Sequence, residues 1–101
     1  MPAKHNRPLA KARDVNATLL AGEIPRQKWK AIGRLLELQD SKLDEIEENN
    51  RGNVYEQCYT MLTTWRGNQE SNATCHLLKE ALGSQLIMRK DLVDKYCYAD
   101  N

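Results

Sequence analysis

The feature that most constrains the fold of this chain is the spacing of its apolar residues, which recur every three or four positions along its length. That period places apolar side chains on one face of an α-helix, whereas a half-buried β-strand requires strict alternation. One run shows it best: Cys58, Met61, Leu62 and Trp65. The pattern therefore predicts an all-α protein without strands.

Turn and capping residues divide this pattern into six predicted helices, over about residues 9–21, 25–38, 41–49, 53–67, 72–83 and 89–96. Asn53, with Glu56 three residues on, is expected to cap the fourth helix, and Asn72 to cap the fifth. Ser41 and Asp44 have the spacing of a capping box at the start of the third helix. Joined by short loops, helices of this length bury their apolar faces only as a compact antiparallel bundle.

The same periodicity assigns most large apolar side chains to the core. Leu19 is placed on the buried face of the first helix, and Leu86 and Ile87 are expected to fill the core from the loop before the sixth. The other large side chains predicted to face inward are Trp29, Ile32, Leu35, Leu36, Leu43, Ile46, Tyr55, Met61, Leu62, Trp65, Leu77, Leu78, Leu82, Leu92, Val93 and Tyr96.

Length and charge limit the classes of protein this chain can represent. At 101 residues it has the size of one small domain, and its net charge of +1 gives no general attraction to nucleic acid or to an anionic membrane. Its apolar runs are too short to cross a bilayer, so we expect no membrane insertion by this segment. Residues 1–7 lack the apolar stretch of a secretory signal, and three cysteines cannot all pair with one another. These features favour a reducing, cytoplasmic location.

Charge is nevertheless distributed unevenly along the chain. Residues 1–34 hold eight Lys and Arg against two Asp and Glu, a net of +6, whereas residues 35–70 hold three against eight, a net of −5. If the fold keeps the basic second helix apart from the acidic third, each molecule presents complementary patches that favour head-to-tail association. If it does not, the charges only keep the domain soluble. An alternative is a small helical module that binds nucleic acid through the basic N-terminal third.

The sequence contains no arrangement of residues typical of an enzyme or of a cofactor site. His5 and His76 neighbour no nucleophile in a recognisable setting, and the isolated glycines form no phosphate-binding loop. Cys75, His76 and Cys97 could supply zinc ligands, but an adjacent Cys-His pair has the wrong spacing for a tetrahedral site. We therefore expect no catalysis, no small-molecule substrate, no cofactor and no metal.

Three segments, taken in order, resemble the death-domain family, and the likeness covers about residues 9–97. They are WKAIGRLLELQDSKLDEIE from Trp29, EQCYTMLTTW from Glu56 and ATCHLLKEAL from Ala73. The chain is most similar to the death domains of TNF-receptor-type proteins, including Fas, and of the Fas-associated adaptor. On this likeness residues 1–8 form a basic tail and residues 98–101 a C-terminal tail. Glu37 stands where many relatives carry glycine.

The resemblance implies a six-helix antiparallel Greek-key bundle without catalytic activity. Such domains assemble homotypically with other death domains in apoptotic or inflammatory signal transduction. Both a soluble cytoplasmic adaptor and the cytoplasmic tail of a receptor, tethered through sequence outside this segment, would carry this module. On the family's pattern the partner-binding residues are Lys30, Arg34, Asp40, Asp44, Glu47, Glu48 and Arg51.

Overall fold

The computed structural model describes residues 7–99 of the chain, and over this range the chain forms six α-helices. They are α1 (Ala17–Glu23), α2 (Trp29–Leu35), α3 (Asp40–Asn49), α4 (Val54–Gly67), α5 (His76–Leu82) and α6 (Lys90–Tyr96). Short 3-10 turns at Ala12–Asp14 and Arg26–Lys28 precede α1 and α2. Between residues 7 and 99 no β-strand forms, and extended pairing is limited to two isolated bridges. The all-α six-helix prediction is confirmed.

The core is built around α4, the longest helix, which packs against α1, α2 and α3. Its apolar stripe is buried, with Met61 and Trp65 almost completely removed from solvent. Trp29 from α2, with Leu43 and Ile46 from α3, closes the same core, as predicted. In the part of the chain that the structure describes, no helix has the length and apolar character needed to span a bilayer.

The N-terminal part of the predicted first helix is not α-helical. The Asn16 side chain accepts a hydrogen bond from the Leu19 N–H (3.1 Å), so α1 begins at Ala17. Residues before this cap instead extend toward the C-terminal end of the described chain, where Leu9 and Tyr98 form a bridge. The helix therefore starts later than expected, and Leu19 turns outward. The prediction that Leu19 is buried is wrong, because its side chain is 58% exposed.

Two of the three predicted caps are also wrong. The expected cap of α5, Asn72, lies before it, because residue 74 pairs with Lys11 in an extended bridge and delays the helix to His76. Ser41 lies inside α3. Gln39 occupies the N-cap position of that helix, and its side chain makes no capping hydrogen bond. The third prediction is confirmed, since the Asn53 side chain accepts from the Glu56 N–H at 3.1 Å.

Three further side chains predicted to be in the core are at least one-third exposed: Leu35, Tyr55 and Leu86. Leu35 is the last residue of α2, and the Tyr55 hydroxyl reaches across to donate to the Thr18 C=O at 2.8 Å. In the loop before α6, Ile87 is buried as predicted while Leu86 points outward. Periodicity assigned these positions to a helix face, but helix ends and loops determine their exposure.

The turn between α2 and α3 depends on Glu37, whose φ of 70° is in the left-handed region. This conformation destabilises a residue that has a Cβ by about 1–2 kcal/mol. Glycine adopts it without strain, although its greater freedom in the unfolded chain lowers stability by about 0.5–1 kcal/mol. We expect Glu37→Gly to stabilise the domain by about 0.5–1 kcal/mol, measured as a raised thermal unfolding midpoint. Glu37→Ala is the control, because it removes the carboxylate and keeps the strain. An equal gain from the alanine variant would contradict the backbone explanation.

Candidate protein-interaction surface

The seven residues that the family resemblance marked for partner binding lie on and beside helices α2 and α3. The Lys30 ammonium is 2.9 Å from an Asp44 carboxylate oxygen and 2.7 Å from one of Glu47. At the other end of the two helices, the Arg34 guanidinium lies 2.7 Å from Asp40. This order of pairing shows that α2 and α3 run antiparallel. We call the surface formed by Lys30, Arg34, Asp40, Asp44, Glu47, Glu48 and Arg51 the α2–α3 face.

Close packing between the two helices brings these charges together. Gly33 lies against the Leu43 side chain, and a Cβ added to it would be 2.6 Å from a Leu43 methyl carbon. Leu43 and Ile46 turn into the core at i, i+3 spacing, so the acidic residues of α3 are left on its outer side. Arg51, in the loop after α3, pairs with Glu48 at 2.8 Å and extends the face.

The α2–α3 face is ordered by ion pairs but open to solvent. Its side chains are more than half exposed apart from Lys30, which is 27% exposed. The hydrogen bonds that Lys30 donates to Glu47 and to Asp44, Glu47 first, raise the pKa of Lys30 above its ordinary value. Exposed ion pairs contribute only about 0–1 kcal/mol each, so these contacts orient the side chains without committing them to the fold. Both the cations and the anions of the face therefore remain accessible from solvent.

The sequence left open whether the basic second helix and the acidic third form separate patches, and in the structure they lie side by side. Lys30 and Arg34, two cations of the basic N-terminal third, are bound to α3 carboxylates of the same molecule. With three cations and four anions, the α2–α3 face carries a net charge of −1. On the α2–α3 face, the charge segregation seen along the sequence is therefore cancelled in space. These pairings also weaken the argument for a nucleic-acid site built on the same cations.

Sequence reasoning missed a second exposed feature, the loop between α5 and α6. Leu86 is 58% exposed and Met88 is 74% exposed, whereas Ile87 between them is buried. The Met88 backbone is left-handed, with φ of 57°, and its N–H donates to the Ser84 C=O at 2.7 Å. Strained, exposed apolar residues held by a rigid frame are often binding elements. The apolar pattern of the sequence could not show which of these neighbours faces outward.

A third cluster joins the end of α1 to α6. The Glu23 carboxylate accepts hydrogen bonds from the Lys95 ammonium (2.8 Å) and from the Tyr96 hydroxyl. These bonds, Lys95 first, lower the pKa of Glu23 below its ordinary value of 4.5. Arg89 lies beside it, donates to the Glu23 C=O at 3.4 Å and lowers the pKa of Asp91. The cluster links the two helices through charged groups.

This cluster predicts how stability depends on pH. A carboxylate with a lowered pKa in the folded state stabilises the fold above its ordinary pKa and loses that contribution as pH falls. We expect the thermal unfolding midpoint of the wild-type chain to decrease as the pH falls below about 4.5. At neutral pH, Glu23→Gln should have a lower midpoint than wild type. The two profiles, followed by circular-dichroism melts, should converge as the pH falls further and Glu23 becomes protonated in the folded chain. Profiles that stay parallel across this range would show that Glu23 contributes no pH-dependent stability.

The described residues bring no metal-binding group together. No three His, Cys, Asp or Glu side chains between residues 7 and 99 are placed to hold a metal ion. Cys75 and Cys97 do become neighbours, but His76 is exposed on the surface while both cysteines are buried. His5 lies outside the described residues. The surface features that remain are the charged α2–α3 face and the apolar α5–α6 loop.

Comparisons with known proteins agree with this architecture. The death-domain family model matches residues 16–96, from the cap of α1 to the end of α6. The chain is 31% identical over 68 residues to the FAS-associated death domain protein of Homo sapiens, covering 66% of this chain and 33% of that protein. The corresponding Bos taurus protein is 34% identical over 68 residues, covering 66% and 32%. The chain thus spans about a third of these curated relatives, and no solved structure matches it significantly. A six-helix bundle matched over most of its length by one family model places this chain in the death-domain family.

Proposed function

We propose that this chain is a non-catalytic protein-interaction module that assembles homotypically with other death domains in apoptotic or inflammatory signal transduction. The family match supports a role in protein assembly, and the described residues offer exposed charged and apolar side chains to a partner. As part of a soluble adaptor or of a receptor tail, the module would act in the cytoplasm. In either setting its partners are other death-domain proteins, a second copy of itself included.

The observation that carries this proposal is the α2–α3 face. Six of its seven charged side chains sit on the antiparallel helices α2 and α3, and Arg51 follows in the next loop. Ion pairs hold all seven in defined positions. A partner with complementary charges can replace these pairs at small cost, because exposed ion pairs contribute little to folding. Charge complementarity of this kind orients the partners and speeds their encounter. We assign partner binding to Lys30, Arg34, Asp40, Asp44, Glu47, Glu48 and Arg51.

The α5–α6 loop supplies a second, apolar contact. Burying the exposed parts of Leu86 and Met88 against a partner removes apolar surface from water, a gain of about 25 cal/mol per Å². Charged contacts alone give orientation more than affinity, so an apolar contact of this type would add lifetime to the complex. The loop is already shaped before binding, which lowers the entropy cost of docking.

Sedimentation velocity tests the proposal. The chain is analysed alone over a range of concentrations and in a mixture with the death domain of the human FAS-associated death domain protein. We expect self-association or a mixed complex that weakens between about 0.15 M and 1 M salt, where the Debye length falls from about 8 Å to 3 Å. A chain that stays monomeric at every concentration and ignores the second domain would refute homotypic assembly. Binding to duplex DNA with a steep salt slope would favour the nucleic-acid alternative instead.

A further inference from the structure

Two of the three cysteines are neighbours in the fold although they lie 22 residues apart in the sequence. Cys75, just before α5, donates its backbone N–H to the Ala10 C=O at 2.9 Å. Cys97, just after α6, accepts from the Ala10 N–H at 2.8 Å. In a paired extended segment the N–H and C=O of one residue point to the same side. Ala10 therefore holds the two cysteines side by side.

The Cys75 side chain also contacts the backbone of Cys97. The Cys75 thiol donates to the Cys97 C=O, with the sulfur 2.9 Å from the oxygen, and both residues are fully buried. A hydrogen bond with the Cys97 thiol lowers the pKa of Cys75 below its ordinary value. The same hydrogen bond, together with burial, raises the pKa of Cys97. The fold thus holds two thiol-bearing residues against each other, and this proximity is what closure to an intramolecular disulfide requires.

Cys58 provides a natural contrast within the same chain. It lies on α4, and burial in the apolar core raises its pKa to about 12. A thiol in such surroundings is rarely ionised and is chemically inert. All three thiols are free in the structure, so any selectivity between them must come from their surroundings.

We propose that Cys75 and Cys97 form an oxidation-sensitive dithiol that closes to an intramolecular disulfide when the oxidant is a small-molecule disulfide. The Cys75 thiolate attacks one sulfur of the oxidant, forming a mixed disulfide and releasing one thiolate. Cys97 then gives up its proton to the solvent and attacks the Cys75 sulfur, which expels the second thiolate. Each cysteine loses one electron, and the two electrons reduce the oxidant to two thiols.

Oxidant reaches the pair through local opening of the extended segment that covers it. Only four backbone hydrogen bonds link residues 8–12 to residues 73–75 and 97–99. Segments near the ends of a domain open at a lower free energy than its core. The resulting disulfide would close a covalent loop around α5, the α5–α6 loop and α6. It would thereby restrain the hairpin that presents Leu86 and Met88 to solvent.

The experiment uses the folded, fully reduced chain treated with oxidised glutathione and then with an alkylating reagent. Non-reducing mass spectrometry and peptide mapping identify each disulfide. We expect one intramolecular disulfide that joins Cys75 to Cys97, at least about tenfold in excess over any disulfide that contains Cys58. The oxidised chain should unfold about 10 °C or more above the reduced chain, and a reducing agent should reverse the shift.

Variants and a denatured control make the result decisive. Cys58→Ser should leave the disulfide unchanged, whereas Cys75→Ser and Cys97→Ser should each abolish it. The three thiols have similar surroundings in the chain unfolded in urea. Oxidation of that chain therefore gives the yield of each possible disulfide when the fold does not favour any pair. A native chain that forms only glutathione adducts, or links Cys58 as often as the unfolded chain does, overturns the proposal. So does a native chain that stays reduced while the unfolded chain oxidises.

Discussion

Replacing Trp65 with alanine is expected to abolish stable folding of the domain. The side chain is 1% exposed in the last turn of α4, the helix against which α1, α2 and α3 pack. Truncating a buried aromatic side chain costs about 3–5 kcal/mol, and small domains have only about 5–15 kcal/mol of stability in total. Urea unfolding followed by circular dichroism should show a midpoint that is strongly lowered or no cooperative transition at all.

Two comparison variants, one at Trp65 and one on the α2–α3 face, separate the loss of core packing from other effects. Trp65→Phe keeps most of the apolar volume, and the indole N–H that it removes has no partner among the described residues. We expect it to cost about 1–2 kcal/mol, well below the alanine variant. Arg34→Glu lies on the exposed α2–α3 face and should change stability by less than about 1 kcal/mol while weakening association. If Arg34→Glu lowered the midpoint as much as Trp65→Ala, the assignment of Arg34 to a binding surface would be wrong.

Reversing Asp44 and Glu47 to lysine is expected to remove partner binding from a chain that still folds. Both side chains are more than half exposed, so their reversal places two new cations on the α2–α3 face and repels a basic partner. A loss of about 1.4 kcal/mol already weakens association tenfold, and we expect at least that change. Sedimentation measures association, and thermal melts confirm that the variant is folded.

The intramolecular contacts of Lys30 supply the control for this experiment. Adding Lys30→Glu to the double variant restores opposite charges within the molecule, because Lys30 pairs with both Asp44 and Glu47. The triple variant should match wild type in stability and still fail to bind, since its outward charges remain inverted. Recovery of binding in the triple variant would show that the double variant lost only an internal contact. If the double variant associated as strongly as wild type, Asp44 and Glu47 would not be part of the binding surface.

The helical fold could be predicted because the signals for it are local. An apolar period of three to four residues shows which side chains must leave water, and a bundle is the simplest way for short helices to satisfy that requirement. The cap at Asn53 was predicted for the same reason, since its hydrogen bond spans three residues. Asn72 and Ser41 carry similar signals, yet distant contacts moved the start of α5, and Gln39 took the cap position of α3.

The site was only partly predictable. Family resemblance marked the seven charged residues of the α2–α3 face, but their pairing within the molecule depends on the approach of α2 and α3 at Gly33. Leu86 and Met88 were not assigned to a surface, because alternate neighbours in a loop share no helical period. A left-handed backbone at Met88 has no sequence signature, since the residue is not glycine.

The sequence by itself determined that there are six helices and which side chains form most of the core, because both follow from the period of apolar side chains over ten or twenty residues. Tertiary structure alone decided which charges meet and which cysteines become neighbours. Lys30 reaches Asp44 and Glu47 across 14 and 17 residues, and Cys75 reaches Cys97 across 22. Contacts of that range arise only after the helices have packed, and the direction of each short loop then fixes which faces adjoin. The same packing paired Lys30 and Arg34 with carboxylates of α3 and left an apolar loop exposed to solvent.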